Sequence, residues 1–307
     1  MKLARLLVLI DPNQPQQPAL QRAQWLAART GAELHLLQLV FSSALDNNLF
    51  VDAPRLQAAR QRFIDEQQAW LEGLAAPLRE AGLSVTCHSR WSRQRQAEII
   101  ACATQLQVDL VLKSSHRHGL LTRLLLSNSD WELLRHCPLP LWLVHHGEWQ
   151  GRRLCAALDP LHSADKPAAL DHRLIEVASS LSAQLGLDAH YLHSFAPLPR
   201  SLVFDLEMVT DYQQYSANCA RRHREAFEQL LAAHAVDLQR SHLLEGFAEQ
   251  SIPAFVREQA VDLLVMGAVS RSQLDSAIIG NTAERVLEDV ECDLLVLKPS
   301  APDGTRA

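Results

Sequence analysis

Residues 261–287 read VDLLVMGAVSRSQLDSAIIGNTAERVL, and the organisation of the chain follows from them. An apolar run, 261–266, ends at Gly267, and a second glycine, Gly280, stands just before Asn281-Thr282. From there Ala283, Val286 and Leu287 take the spacing of one buried helical stripe. Strand, glycine, loop, glycine, helix start is an arrangement suited to an anion. The helix N-terminus offers unpaired backbone N–H groups and partial positive charge, and glycine admits a phosphate close to the backbone. The same residues fit a plainer reading, in which Gly267 ends a strand and Asn281 caps a helix with Glu284 as its capping-box partner.

That stretch belongs to one half of a repeat. RLLVLIDP at 5–12 returns as RLCAALDP at 153–160, and VDLVLK at 108–113 returns as VDLLVM at 261–266. The separations are 148 and 153 residues, so the halves differ by short loop changes. Domains are expected over 1–148 and 152–300, meeting at a short polar joint, HGEWQGRR, with a disordered tail at 301–307.

Each half alternates strands and helices. In the first, strands are expected at 6–10, 34–40, 83–88, 109–113 and 139–144, with helices at 19–29, 97–105 and 130–136. A long amphipathic helix at 56–78 sets Leu56, Phe63, Trp70, Leu71, Leu74 and Leu78 on one stripe. In the second, strands fall at 154–158, 189–194, 238–244, 262–266 and 293–297, and helices at 170–185, 212–235, 253–260 and 281–289, with Pro253 opening the third helix. The fold class is therefore α/β: two doubly wound domains in tandem, each with a mostly parallel five-stranded sheet. In such sheets ligands bind beyond the carboxyl ends of the strands at the topological switch point, where Asp159 and Gly267 would lie.

The segment from Gly267 resembles the universal stress protein family, whose nucleotide-binding members carry G-x-x-G, nine residues, then G-[ST]. Gly267 matches the first glycine and Gly280 the third, with the nine residues 271–279 between Ser270 and Gly280. Ser270 stands where the second glycine belongs, and Asn281 where Ser or Thr is expected, with Thr282 one place later. The tandem arrangement, with GNTAERVL in one half and DWELLRHCP in the other, extends the resemblance over nearly the whole chain. It implies an adenine nucleotide alpha hydrolase-like fold and a pseudo-dimer joined through the last strand of each half. It also implies a ligand site in the second half. Asp159 follows the first strand where the family places an acidic residue. His193 falls where backbone groups meet an adenine. Met266, Gly267, Ser270 and Arg271 form the loop, and Gly280, Asn281 and Thr282 the phosphate end. Arg271 fits both a phosphate partner and a solvated loop arginine, and Asp159-Pro160 fits a simple turn as well.

The halves are unequal. At an offset of 153, Lys113-Ser114 stands opposite Met266-Gly267, and Ser127-Asn128-Ser129-Asp130 opposite Gly280-Asn281-Thr282-Ala283. The first half has lost both glycines and carries a carboxylate at the helix N-terminus, where it satisfies the dipole and repels a phosphate. The first half is therefore expected not to bind ATP in the family manner. Leu120, Leu121, Leu124, Leu125 and Leu126 crowd its loop, and two readings fit them: packing against the other half, or a pocket for an apolar, lipid-like ligand.

Composition narrows the class. A net charge of −6 gives no general attraction to nucleic acid or anionic membranes. No apolar run reaches the roughly 18–20 residues that cross a bilayer, and Asp11-Pro12 interrupts the apolar N-terminus. The six cysteines form no C-x-x-C pair and sit mostly in apolar stretches, as expected of reduced core thiols in a cytoplasmic protein. His116/His118, His145/His146 and His190/His193 are read as surface histidines without a carboxylate or cysteine to complete a metal set. P-loop, dinucleotide and esterase signatures are missing, and no residue set is arranged for catalysis. The expected function is that of a non-enzymatic stress-response protein needing no cofactor, with ATP and magnesium in the second half as the implied ligand. Protein partners or a homodimer are expected as well. The alternatives are a slow ATPase or nucleotide switch, and an apolar-ligand carrier.

Overall fold

The structure, a computed structural model, describes residues 1–46, 52–115, 126–145, 149–161, 169–198, 211–268 and 281–299. The first half runs β1 (Arg5–Ile10), α1 (Pro18–Thr30), β2 (Glu33–Val40), α2 (Ser43–Asp46), α3 (Ala53–Glu80), β3 (Val85–Trp91), α4 (Arg95–Gln105), β4 (Leu110–Ser114), α5 (Asn128–His136) and β5 (Leu141–Val144). The second half runs β6 (Arg153–Leu158), α6 (Ala169–Leu185), β7 (Asp188–Phe195), α7 (Tyr212–Ala232), β8 (Ser241–Glu245), α8 (Ala248–Glu258), β9 (Leu263–Gly267), α9 (Asn281–Asp289) and β10 (Asp293–Leu297). Among the described residues the ten strands join in one sheet, ordered β3-β2-β1-β4-β5-β10-β9-β6-β7-β8. The five strands expected of each half are thus two halves of a continuous sheet. Pairing is parallel within each half and antiparallel only between β5 and β10.

The strands read as continuous apolar runs because helices cover both faces, and they fill two core layers, one on each face of the sheet. At the seam Trp142 stands opposite Leu295, flanked by Leu141 opposite Val296 and Leu143 opposite Leu294. At the offset of 153, Leu295 is the counterpart of Trp142, so a pseudo-two-fold axis passes between them. Around this axis lies a buried polar lock. Asp293 Oδ2 accepts from Arg22 Nε at 2.6 Å and Trp142 Nε1 at 2.8 Å, and its Oδ1 from the His145 amide at 2.9 Å. Arg22 lies 3.4 Å over the Trp149 ring, which meets Trp25 edge-on at 5.4 Å. Burial pushes the Asp293 carboxyl up, while Arg22, Trp142 and the His145 amide draw it back. The joint that reads as polar is therefore fastened by its tryptophan.

Several local expectations are corrected. Trp70 lies off the buried stripe, 42% exposed, because the residues α3 buries fully are Leu71, Ala75 and Leu78, with Leu74 packed beside them. Pro253 lies inside α8, which begins five residues earlier at Ala248 with Phe247 as its N-cap residue. Its ring costs one intrahelical hydrogen bond, and Ile252, Phe255 and Val256 bury that turn nonetheless. The expected strand at 238–244 starts at Ser241, after a 3₁₀ turn capped by Asp237. Trp91 is the last residue of β3, and Arg93 pairs with Asp46 at 2.9 Å. Four cysteines are buried and two half-buried, all free. Among the described residues no helix is long and apolar enough to cross a membrane.

Candidate ligand crevice in the second half

The second half's strands run β10-β9-β6-β7-β8, so the sheet order reverses between β6 and β9. Asp159 follows the last residue of β6, and Met266 and Gly267 end β9 beside it. His193 pairs in register with Leu158. The topology thus gathers Asp159, His193, Met266 and Gly267 at the carboxyl ends of three adjacent strands, the binding edge of an open α/β sheet. Thr282 lies in the first turn of α9, and Asn281 begins that helix. Ser270, Arg271 and Gly280 fall outside the described residues, as do Leu120, Leu121, Leu124 and Leu125 of the first half's loop. Leu126 packs against the core layer shared by both halves.

His193 is not a surface residue: it is 1% exposed. Its Nδ1 lies 3.0 Å from the Leu158 carbonyl oxygen and its Nε2 2.8 Å from Nδ1 of His223. A carbonyl only accepts, so His193 donates through Nδ1, and in the neutral ring its Nε2 accepts from His223. His223 stacks on His193 and Phe195. Burial pushes the His223 imidazole down, with His193 and Arg222 adding to the fall and Asp159 opposing it. A cleft of about 510 Å³ opens beside it, lined by Leu161, Tyr215, Asn218, Cys219, Arg222 and His223. His223 was legible in principle, since it shares a helical stripe with Phe227 and Leu231, both buried.

Asp159 donates its backbone N–H to Oδ1 of Asp171 at 3.2 Å, and Asp171 is buried. Gly267 has a packing reason to be glycine. A Cβ there would stand 2.6 Å from Leu170 Cδ2 and 3.3 Å from its Cγ. In the first half the position of Gly267 is taken by Ser114, whose hydroxyl accepts the Ala19 amide at 3.1 Å.

The first half's equivalent crevice is closed by its own charges. Ser127 caps α5, and Asp130, 0% exposed, completes a capping box by accepting the Ser127 amide at 2.7 Å. Its other oxygen takes the ammonium of Lys113. A carboxylate and its counterion thus occupy the position where a phosphate would meet the helix. The remaining cavity, about 90 Å³ among Asp11, Lys113, Ser114 and Ser129, is well below the roughly 300–1,000 Å³ of small-molecule sites.

The model of the universal stress protein family matches residues 2–145 and again 152–298. This chain belongs to the universal stress protein family. It is 30% identical over 296 residues to the universal stress protein E of Salmonella typhi, covering 96% of this chain and 94% of that protein. It is 29% identical to the protein of the same name from Escherichia coli K12, covering 96% and 93%. The crystal structure of a protein of unknown function from Pseudomonas aeruginosa PAO1 is similar, with a TM-score of 0.75 and 28% identity, covering 97% of this chain and 93% of that one. As a tandem universal stress protein, the chain carries one closed crevice and one in which Ala283 stands at the position of Asp130.

Proposed function

We propose that this universal stress protein is a non-enzymatic, cytoplasmic stress-response protein. It binds an adenine nucleotide at the β6/β9 crevice of its second half and presents its surfaces to protein partners or a second copy. One asymmetry carries the reading. The first half neutralises its helix N-terminus with Asp130 and Lys113, whereas Ala283 stands at the position of Asp130 in the second. Glu284 lies in the same first turn, but its carboxylate faces Arg135 at 3.8 Å, and a helix start without a carboxylate at the place of Asp130 keeps its amides and dipole for an external anion. Gly267 supports the nucleotide reading less than its motif suggests, because Leu170 already requires it. The relatives' shared name supports the stress-response role.

The test copies the first half's block into the second. ATP with magnesium is titrated calorimetrically into wild type and Ala283→Asp. One equivalent bound by wild type and lost in the variant supports the site. Equal heats in both proteins, or none in wild type, overturn it. Phosphate release by wild type above the variant would assign the crevice slow turnover instead.

A further inference from the structure

Glu33-Leu34-His35 at the start of β2 and Asp188-Ala189-His190 at the start of β7 are counterparts in the repeat. Their partners are counterparts too. His88 pairs in register with Leu37, two residues beyond His35, and His242 pairs with Leu192, two beyond His190. Both halves therefore set a carboxylate, a histidine and a second, cross-strand histidine in one order, and they do so between the outermost strand pairs, β2–β3 and β7–β8.

The atoms repeat as well. In the second half Asp188 Oδ2 lies 2.8 Å from Nε2 of His190, and Nδ1 of His190 lies 2.9 Å from Nε2 of His242. The carboxylate accepts, so His190 donates through Nε2, and its Nδ1 accepts the N–H of His242. In the first half Glu33 stands 3.7 Å from Nε2 of His35. The Thr86 hydroxyl bridges Nδ1 of His35, at 2.6 Å, to Nε2 of His88, at 3.4 Å. His35 is buried, and His242 is packed at 4.7 Å against the Phe255 ring of α8. The other charges facing these rings are Arg5 and Arg90 in the first half, with Arg90 held by Glu98 of α4, and Arg153 and Arg240 in the second. Among the described residues no three His, Cys, Asp or Glu side chains are grouped to hold a metal. What joins each pair is hydrogen bonding, direct in the second half and through the Thr86 hydroxyl in the first.

We propose that these two relays are proton-operated clasps. Acidification puts a proton on both imidazoles of a pair, turns the shared acceptor into a donor, and frees the outermost strands, β8 first and then β3, before the rest of the sheet. One proton is accommodated in the second half, because His242 can take it on Nδ1, the nitrogen outside the relay, while still donating through Nε2. The second makes N–H face N–H and sets two positive rings together, with centroids 5.1 Å apart. In the first half the Thr86 oxygen can accept from both rings, so that clasp yields less. Burial pushes His35, His88 and His242 down from the ordinary imidazole value, and the partner ring adds to the fall at His88 and His242.

Hydrogen–deuterium exchange of the full chain tests this, with exposure times scaled to the intrinsic rate at about pH 7.5 and pH 5. Protection of β8 should fall with pH by up to about tenfold per pH unit for each proton the opening takes up. Protection of β9 should hold, and β3 should change less than β8. His242→Gln should abolish the response of β8 and leave that of β3. A β8 response equal to that of β9, or one unchanged in His242→Gln, overturns the proposal. Should that variant not fold, imidazole NMR of wild type decides: His190 and His242 titrating in two coupled steps supports the clasp, and two independent titrations at the same pH refute it.

Discussion

Gly267→Ala separates what packing asks of this glycine from what a ligand would ask. The added methyl would stand 2.6 Å from Leu170 Cδ2 and 3.3 Å from Cγ. Leu170 is 1% exposed and belongs to the core layer on its face of the sheet, so it has little room to turn away. Overpacking of this kind costs about 1–3 kcal/mol. Replacing glycine where φ is not left-handed returns about 0.4–1 kcal/mol through the unfolded chain. The net expectation is a loss of roughly 1–2 kcal/mol. Leu170→Ala alone should lose about 2–5 kcal/mol by leaving a cavity. In that background Gly267→Ala should become neutral or stabilising, because its methyl enters the space Leu170 left. Urea denaturation of the four proteins gives the cycle, with the m-value as the check that compactness is unchanged. Equal costs of Gly267→Ala in both backgrounds, within about 0.3–0.5 kcal/mol, would refute the packing account. A variant of full stability that has lost ATP binding would return this glycine to the ligand.

Asp293→Asn should destabilise by about 3–5 kcal/mol, because it strands Arg22 as a buried charge between the halves; a urea midpoint shift worth under about 1 kcal/mol would show that the lock matters little. Stability should also fall with acid. The folded-state values of His35, His88, His223 and His242 lie below the 6.5 of the free side chain, so the unfolded chain binds the extra protons. Their contribution is complete above about pH 6.5–7 and is lost as pH drops below it, toward the folded values. Melting temperatures flat from about pH 7.5 to 5, away from ligand, would contradict that sign.

Fold and site were legible to different degrees. Continuous apolar strands, the alternation with helices and the return of RLLVLIDP as RLCAALDP carry the architecture, because parallel strands buried on both faces leave a strong local signal. The seam between the last strands follows from the resemblance, and the register that sets Trp142 against Leu295 does not, since only packing fixes it. Asp159, His193, Met266 and Gly267 meet where strand ends must meet. The surface reading of the histidines failed for a physical reason. Two-residue spacing places His190 and Asp188 on one side of β7, but the imidazoles that complete the pairs, His223 and His242, come from α7 and β8. Pro253 misled because proline favours the first helical turn, whereas here the buried Ile252, Phe255 and Val256 hold the turn that carries it inside the helix.

The seam also shows why the two halves are one chain rather than two copies of either. At the offset of 153 the counterpart of Asp293 is Pro140, which has no acceptor in its side chain. Two first halves paired through β5 would set Trp142 against itself and leave its indole N–H and the guanidinium of Arg22 buried without Asp293. Each such stranded donor costs about 1–3 kcal/mol, and more when charged. Two second halves paired through β10 would instead bring two buried Asp293 carboxylates to one seam without Arg22 or Trp142. Only the mixed pairing gives Asp293, Arg22 and Trp142 one another as partners, so covalent linkage fixes a partner choice that these side chains already favour. Once the halves are unlike at the seam, they are free to be unlike at their crevices. One can fill its helix N-terminus with Asp130 and Lys113 and become scaffold, while the other keeps that position uncharged.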